Sequence, residues 1–210
     1  MKVVFIDSVH PILLQELEQL GCQCDELSHL FYDEIIPRLK EYDGAVIRSK
    51  FLFDKKTIDQ ASQLKWIARS GAGMENIDTE YAESKGIKCF NSPEGNRDAV
   101  AEHALGMLLM LFNHLKRADQ EVRNGVWERE GNRGLEIKGK TVGIIGFGVM
   151  GKAFAQRLKG FDCEVIAYDK YHPSPDVPGV KSVSLKELQE KSDIVSLHLN
   201  YLTENLHFFD

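Results

Sequence analysis

The sequence predicts an α/β protein built on parallel sheets, and three observations carry that prediction. Short apolar runs rich in β-branched residues alternate with segments of helical spacing between Lys2 and Phe90. A second strand-like run, Thr141-Val142-Gly143-Ile144-Ile145, passes through Gly146-Phe147-Gly148-Val149-Met150-Gly151 into a helical segment and then an apolar run ending on Asp169. A further apolar run, Asp193 to Leu197, ends at His198. Strands separated by helical crossovers form parallel sheets covered on both faces, and ligands of such sheets sit beyond the carboxyl ends of the strands.

Taken in order, Lys2 to Ile6 is the first strand, with Asp7 at its carboxyl end. Leu13, Leu14, Leu17 and Leu20 fall at helical spacing over Pro11 to Leu20, and Gly21 closes that helix. Cys22 to Leu27 reads as a strand and Phe31 to Lys40 as a helix containing Pro37. Ala45 to Ile47 is a strand ending on Arg48-Ser49, Asp54 to Ala61 a helix, and Leu64 to Ala68 a strand running into Arg69-Ser70-Gly71-Ala72-Gly73. Tyr81 to Lys85 is a short helix and Ile87 to Phe90 a strand. Three turns stand at strand ends: Arg48-Ser49, Gly71 to Gly73, and Asn91 to Arg97.

Asp98 is the expected N-cap of the longest helix, which runs to about Arg123 and measures about 39 Å at 1.5 Å per residue. Apolar residues cover most of its first four turns, which predicts burial on more than one side, a role in joining two domains, and a subunit contact. Glu128 to Lys140 is a loop. In the second half, Lys152 to Lys159 is a helix with Gly160 as its C-cap glycine, Tyr171 to Gly179 a proline-bearing loop, and Leu185 to Lys191 a short helix. About three strands are expected there.

Bulk properties narrow the function. With 43% apolar and 28% charged residues over 210 positions, the chain can bury one large or two small cores. A net charge of −6 with no basic run argues against binding to nucleic acid or anionic membranes. The longest apolar run, Ala104 to Phe112, is too short to cross a bilayer, and the strand at residues 1–8 does not read as a signal peptide. Cys22, Cys24, Cys89 and Cys163 lack metal-finger spacing, so reduced thiols, no metal site and a cytoplasmic location are expected.

The glycine turn carries the chemistry. Gly146 allows the tight bend, Gly148 lets the backbone approach a pyrophosphate, and Gly151 lets helix pack on strand. The first helical amides and the positive end of the helix dipole then face the phosphates. Asp169, 23 residues after Gly146, is placed to accept hydrogen bonds from an adenosine ribose. It would repel a 2'-phosphate, which favours NAD over NADP, although Lys170 partly offsets this. A glycine-rich turn of another kind and a methyl-donor nucleotide site are the competing readings.

The order of these pieces, together with Gly95-Asn96-Arg97-Asp98-Ala99-Val100-Ala101-Glu102-His103 before the glycines and Ile194 to Leu199 after them, resembles the D-isomer-specific 2-hydroxyacid dehydrogenases, most of all their phosphoglycerate dehydrogenase branch. Arg69 to Asp78 is similar to that family's glycine loop. The resemblance implies a flavodoxin-like substrate domain over residues 1–97 and an incomplete Rossmann dinucleotide-binding domain over 98–210, entered through the helix at 98–123. It implies hydride transfer between C2 of a 2-hydroxy or 2-oxo acid and NAD, in a homodimer formed through the nucleotide-binding domain. Ala72 and Gly73 would hold the acid's carboxylate, with Arg48 and Ser49 near its far end. Val100 would back the nicotinamide, Phe147 to Met150 would carry the pyrophosphate, Asp169 the ribose, and His198 lies on the cofactor side. Arg48 also reads as a solvated strand cap, and Val100 as core.

The family's arginine in an Asn-x-x-Arg-Gly turn, its glutamate, and its histidine after a proline have no match in residues 1–210. No catalytic residue is therefore expected in this stretch, which reads as part of a longer chain or a truncated product of one. As written, it is expected to bind NAD weakly or not at all and not to turn over. A dinucleotide-sensing regulatory module is the alternative. Asn200 and Asn205 depart from the family pattern, which usually has proline and threonine there.

Overall fold

A computed structural model describes residues 1–172, 176–200, 205 and 207–208, which divide into two compact units, Met1–Gly95 and Asn96–Asp210.

In the first unit, five strands lie parallel in the order β2-β1-β3-β4-β5: β1 Lys2–Phe5, β2 Gln23–Glu26, β3 Gly44–Ile47, β4 Trp66–Arg69 and β5 Lys88–Asn91. Alternate side chains leave opposite faces, so the central strands β1, β3 and β4 feed two cores. Val3, Phe5 and Val46 pack under Leu13, Leu14 and Leu17 of α1 (Pro11–Gln19). Val4, Ile6, Ala45, Ile47 and Ile67 pack with Phe53, Ile58 and Ala82 on the other face. Capping fixes the helix starts: Asp54 accepts the Thr57 amide at 2.9 Å ahead of α3 (Lys55–Gln60), and Asp78 accepts the Tyr81 amide at 3.1 Å ahead of α4 (Thr79–Ser84). The expected helix over Phe31 to Lys40 is instead α2 (Tyr32–Ile35) followed by a 3-10 turn over Ile36–Glu41. Pro37 has no amide to give an α-helical bond, and the chain tightens there.

In the second unit the order is β8-β7-β6-β9, again all parallel, with β6 Thr141–Ile145, β7 Glu164–Tyr168, β8 Val180–Ser182 and β9 Ile194–Leu197. The expectation of about three strands missed β8, a three-residue edge strand whose sequence is too short and polar to show a strand period.

The long helix is also corrected. It is two helices, α5 (Arg97–Phe112) and α6 (Leu115–Arg123), separated by His114 at φ 50°. The break is stabilised by polar partners. The Phe112 carbonyl accepts the Leu135 amide at 2.9 Å, and Asn113 Nδ2 donates to the Leu109 carbonyl at 3.0 Å. Asn96, not Asp98, is the N-cap; Asp98 lies in the first turn and pairs with Arg157 of α7 (Val149–Leu158) at 2.7 Å. Nor is α5 buried on several sides within the unit. Ala101 is its one fully buried described residue, while Ala104, Leu105 and Leu108 pack partly against the core of α7 and β6. Gly160 does not cap α7 either: it sits inside a 3-10 turn over Lys159–Phe161, and Asp162 takes the left-handed position at φ 51°.

No helix among the described residues is long and apolar enough to cross a membrane, and all four cysteines are free.

Candidate functional site

The carboxyl ends of β6, β7 and β9 surround a cavity of about 250 Å³ lined by Gly146, Gly148, Asp169 and His198, among others. Each glycine has a separate reason to be there. Gly146 takes φ +87°, and a Cβ on it would overlap the His198 carbonyl. A Cβ on Gly151 would overlap the Gly146 carbonyl oxygen, so α7 can lie against β6 only without one. At Gly148, the N-cap of α7, a Cβ would meet nothing within 4 Å. The fold therefore has no need of glycine at 148, and the bare backbone faces open space beside the cavity.

Asp169 closes the other side. Its Oδ2 accepts the Phe147 amide at 2.6 Å, and its Oδ1 accepts the amides of Tyr171 and His172, both at 2.8 Å. Burial alone would raise its pKa, but these three bonds and the nearby His172 outweigh it and hold the carboxyl below its ordinary value. The group is an anion whose Oδ2, accepting one of the three bonds, retains a lone pair for a hydroxyl donor.

Phe147 has its ring in the core with Phe154 and its amide on Asp169, so it anchors the turn. Val149 and Met150 form the first turn of α7, where amides have no carbonyl within the helix to bond. His198 is set by its own amide on the Ile145 carbonyl at 2.8 Å, by Ser196 Oγ at 3.0 Å from Nε2, and by the Phe154 ring. Burial lowers its pKa and keeps the imidazole neutral at pH 7.

The structure thus brings Gly146, Gly148, Asp169 and His198 to one cavity, with Phe147, Val149, Met150 and Gly151 forming the turn and helix start beside it. Val100, in the first turns of α5, does not line it. Sequence reasoning missed Tyr171 and His172 as lining residues, although their places directly after Asp169 were a usable signal. Asn200 and Asn205 also line the cavity, and Asn205 Nδ2 donates to the Asn200 carbonyl at 2.9 Å. The two positions that depart from the family pattern are therefore bonded to each other.

The substrate-side residues lie in the first unit, at the carboxyl ends of β3 and β4. Arg48 and Ser49 are exposed, and their amides and that of Lys50 all donate to Asp7 Oδ2, at 2.6, 2.9 and 3.1 Å. The Ala72 carbonyl accepts Asn91 Nδ2 at 2.6 Å. No three His, Cys, Asp or Glu side chains converge as metal ligands among the described residues.

Residues 105–210 match the family model of the D-isomer specific 2-hydroxyacid dehydrogenase NAD-binding domain. A hydroxypyruvate reductase of Thermotoga maritima is 37% identical over 206 residues, covering 96% of this chain and 67% of the relative. The chain belongs to the D-isomer specific 2-hydroxyacid dehydrogenases. Their NAD-binding domain occupies its second unit, and NAD is the cofactor. A D-3-phosphoglycerate dehydrogenase of Archaeoglobus fulgidus is 32% identical over 208 residues, 98% of this chain but 40% of that dehydrogenase. An NAD-dependent formate dehydrogenase from Staphylococcus aureus, solved in complex with NAD, superposes with a TM-score of 0.82 at 26% identity. It is matched over 100% of this chain and 68% of its own. The chain thus spans about two thirds of some relatives and two fifths of others.

Proposed function

We propose that the chain carries the NAD-binding unit and the acid-binding unit of a D-2-hydroxyacid dehydrogenase acting on acids of the phosphoglycerate and glycerate–hydroxypyruvate type. The observation that carries the cofactor half is the turn at Gly146 to Gly151: a left-handed glycine, a glycine whose Cβ position is open, and a carboxylate anion beside them. The amides of Gly148, Val149 and Met150 face the pyrophosphate, and Asp169 accepts the ribose hydroxyls, as the turn's chemistry favours. When bound, NAD supplies the hydride acceptor or donor for C2 of the acid.

The first unit, with strand order β2-β1-β3-β4-β5, follows the flavodoxin-type order, in support of a flavodoxin-like substrate domain. In this reading the Ala72 and Gly73 amides hold the carboxylate and Arg48 and Ser49 reach the far end of the acid. Val100 backs the nicotinamide ring. The names of the Thermotoga and Archaeoglobus relatives favour hydroxypyruvate and 3-phosphoglycerate as the acids to try first. The family's arginine, which clamps the carboxylate, and its glutamate-supported histidine, which exchanges the hydroxyl proton, have no counterpart in these 210 residues, so this stretch alone holds cofactor and acid weakly at most and does not turn over. The four free thiols fit a cytoplasmic protein, and the exposed apolar side chains of α5 and α6 favour a homodimer through the nucleotide-binding unit.

Fluorescence titration with NADH tests the cofactor half: saturable binding that Gly148→Val abolishes supports it, and an unchanged curve rejects it. Turnover of the intact gene product on hydroxypyruvate, 3-phosphoglycerate, glycerate and lactate tests the substrate class. Activity on lactate alone would reject the proposed acids.

A further inference from the structure

The glycine loop of the first unit is organised by a side chain to which neither the family pattern nor the sequence assigned a task. Arg69 ends β4 with a side chain only 14% exposed, so it is not presented to solvent as a free cation. Its Nε donates to the Arg48 carbonyl at 3.1 Å, its Nη1 to the Gly73 carbonyl at 2.6 Å, and its Nη2 to Glu75 Oε1 at 3.1 Å. One planar cation therefore ties the loop after β3 to the loop after β4. The Arg48 peptide is gripped at both ends: Asp7 accepts its amide, while its carbonyl accepts Arg69 and, at 3.2 Å, Asn76 Nδ2.

The two loop glycines follow from the same arrangement. A Cβ on Gly71 would sit 3.1 Å from Arg69 Nη1, and a Cβ on Gly73 would overlap Glu75 Oε2. A side chain at 73 would therefore push Glu75 Oε2 aside, while one at 71 would fit only tightly against the guanidinium.

We propose that Arg69 is a positioning residue for the acid: its guanidinium sets Arg48 and the Ala72–Gly73 amides at a fixed spacing, with one N–H on each of its three nitrogens committed to the protein. The proposal rests on the substrate-side reading of Arg48, Ser49, Ala72 and Gly73 given above. Lysine cannot substitute, because one ammonium on a flexible stem cannot reach two carbonyls and a carboxylate in a plane.

The test uses the ¹⁵N-labelled chain, titrated with hydroxypyruvate and separately with NADH. In Arg69→Ala the amide resonances of Ser49, Lys50, Ala72 and Gly73 shift together before any acid is added. Hydroxypyruvate affinity falls at least about tenfold, as expected when several charge-assisted bonds are lost. NADH affinity, which belongs to the other unit, changes by less than about twofold. Arg69→Lys keeps the charge and bulk and provides the test should Arg69→Ala fail to fold; it shows the same loss. Added ethylguanidinium restores acid binding to Arg69→Ala. Wild-type affinity in Arg69→Lys, or loss of affinity without shifts in both loops, overturns the proposal, the latter by making Arg69 a direct contact. If the unsubstituted chain shows no saturable shift of Ala72 and Gly73 with hydroxypyruvate, the substrate-side reading falls, while the loop shifts in Arg69→Lys still report on the clamp.

Discussion

The Asp169 carboxylate accepts the backbone amide of Phe147 at 2.6 Å, so the residue expected to grip the ribose also fastens the glycine turn. With Tyr171 and His172 on the other oxygen, it ties together the ends of β6 and β7. An asparagine can accept through only one oxygen and must aim its amide at one set of donors. Asp169→Asn is therefore expected to lower the thermal midpoint as well as NADH affinity, and Asp169→Ser to do both more strongly while relaxing the preference for NADH over NADPH. Paired thermal melts and titrations check this; a change in selectivity with no change in melting would mean the carboxylate reads only the cofactor.

The same carboxylate should make the second unit acid-sensitive. Its folded-state pKa is depressed, burial notwithstanding, because the amides of Tyr171, Phe147 and His172 stabilise the anion. A depressed carboxyl contributes stability above its unfolded pKa of about 3.9, and that contribution is lost as pH falls through the folded value. Urea midpoints measured downward from about pH 5 should fall more steeply for the unsubstituted chain than for Asp169→Asn. Parallel curves would place the acid sensitivity at other carboxylates.

The three glycines of the turn should separate binding from folding. Gly148→Val adds atoms where none are near, so it is expected to change stability by about 1 kcal/mol or less while weakening NADH at least about tenfold. Gly151→Ala drives a methyl into the Gly146 carbonyl and should cost about 1–3 kcal/mol. Gly146→Ala adds a left-handed backbone cost of about 1–2 kcal/mol to its overlap with the His198 carbonyl. Urea denaturation beside NADH titration distinguishes them, and equal stability losses at all three would refute the division.

What the sequence made legible follows from how local each signal is. The turn from Gly146 to Gly151 and the acid at Asp169 could be read because each is a short-range device, fixed by backbone geometry over a few residues. The break at His114 could not. Asn113 and His114 look like ordinary helix residues, and besides the local Asn113 bond to Leu109 the break is stabilised by the Leu135 amide, in a loop more than twenty residues away. β8 was missed because three residues cannot display a period. Arg69 stands in plain view in the motif, but its role depends on the Arg48 carbonyl one strand over, a contact only the parallel register of β3 and β4 creates.

His198 gives a second pH dependence of the same sign from a different cause. Burial lowers its pKa, so the folded state prefers the neutral ring against Phe154. Above its unfolded pKa of about 6.5 this costs nothing; below it, the unfolded chain takes up the proton more readily and stability is lost. The urea midpoint should therefore decline from about pH 6.5 toward 5, and His198→Gln should flatten that decline. An unaltered slope would exclude His198 as the titrating group.

The outer face of α5 and α6 carries a run of apolar side chains with no cover inside the chain. Met107, Met110, Leu111 and Leu115 are exposed within the chain, Leu111 by 69%, and Trp127 just beyond α6 by 83%. Single exposed apolar residues are ordinary, but this many on one short stretch make a patch of the kind that associates. A self-complementary patch on a symmetric pair places each such residue near the partner's copy of the same surface, so one charge introduced there acts twice. Leu111→Glu is thus expected to convert a dimer seen by sedimentation equilibrium into a monomer while leaving NADH affinity within about twofold. A monomeric unsubstituted chain would remove the homodimer from the proposal, and a Leu111→Glu dimer would move its interface off this face.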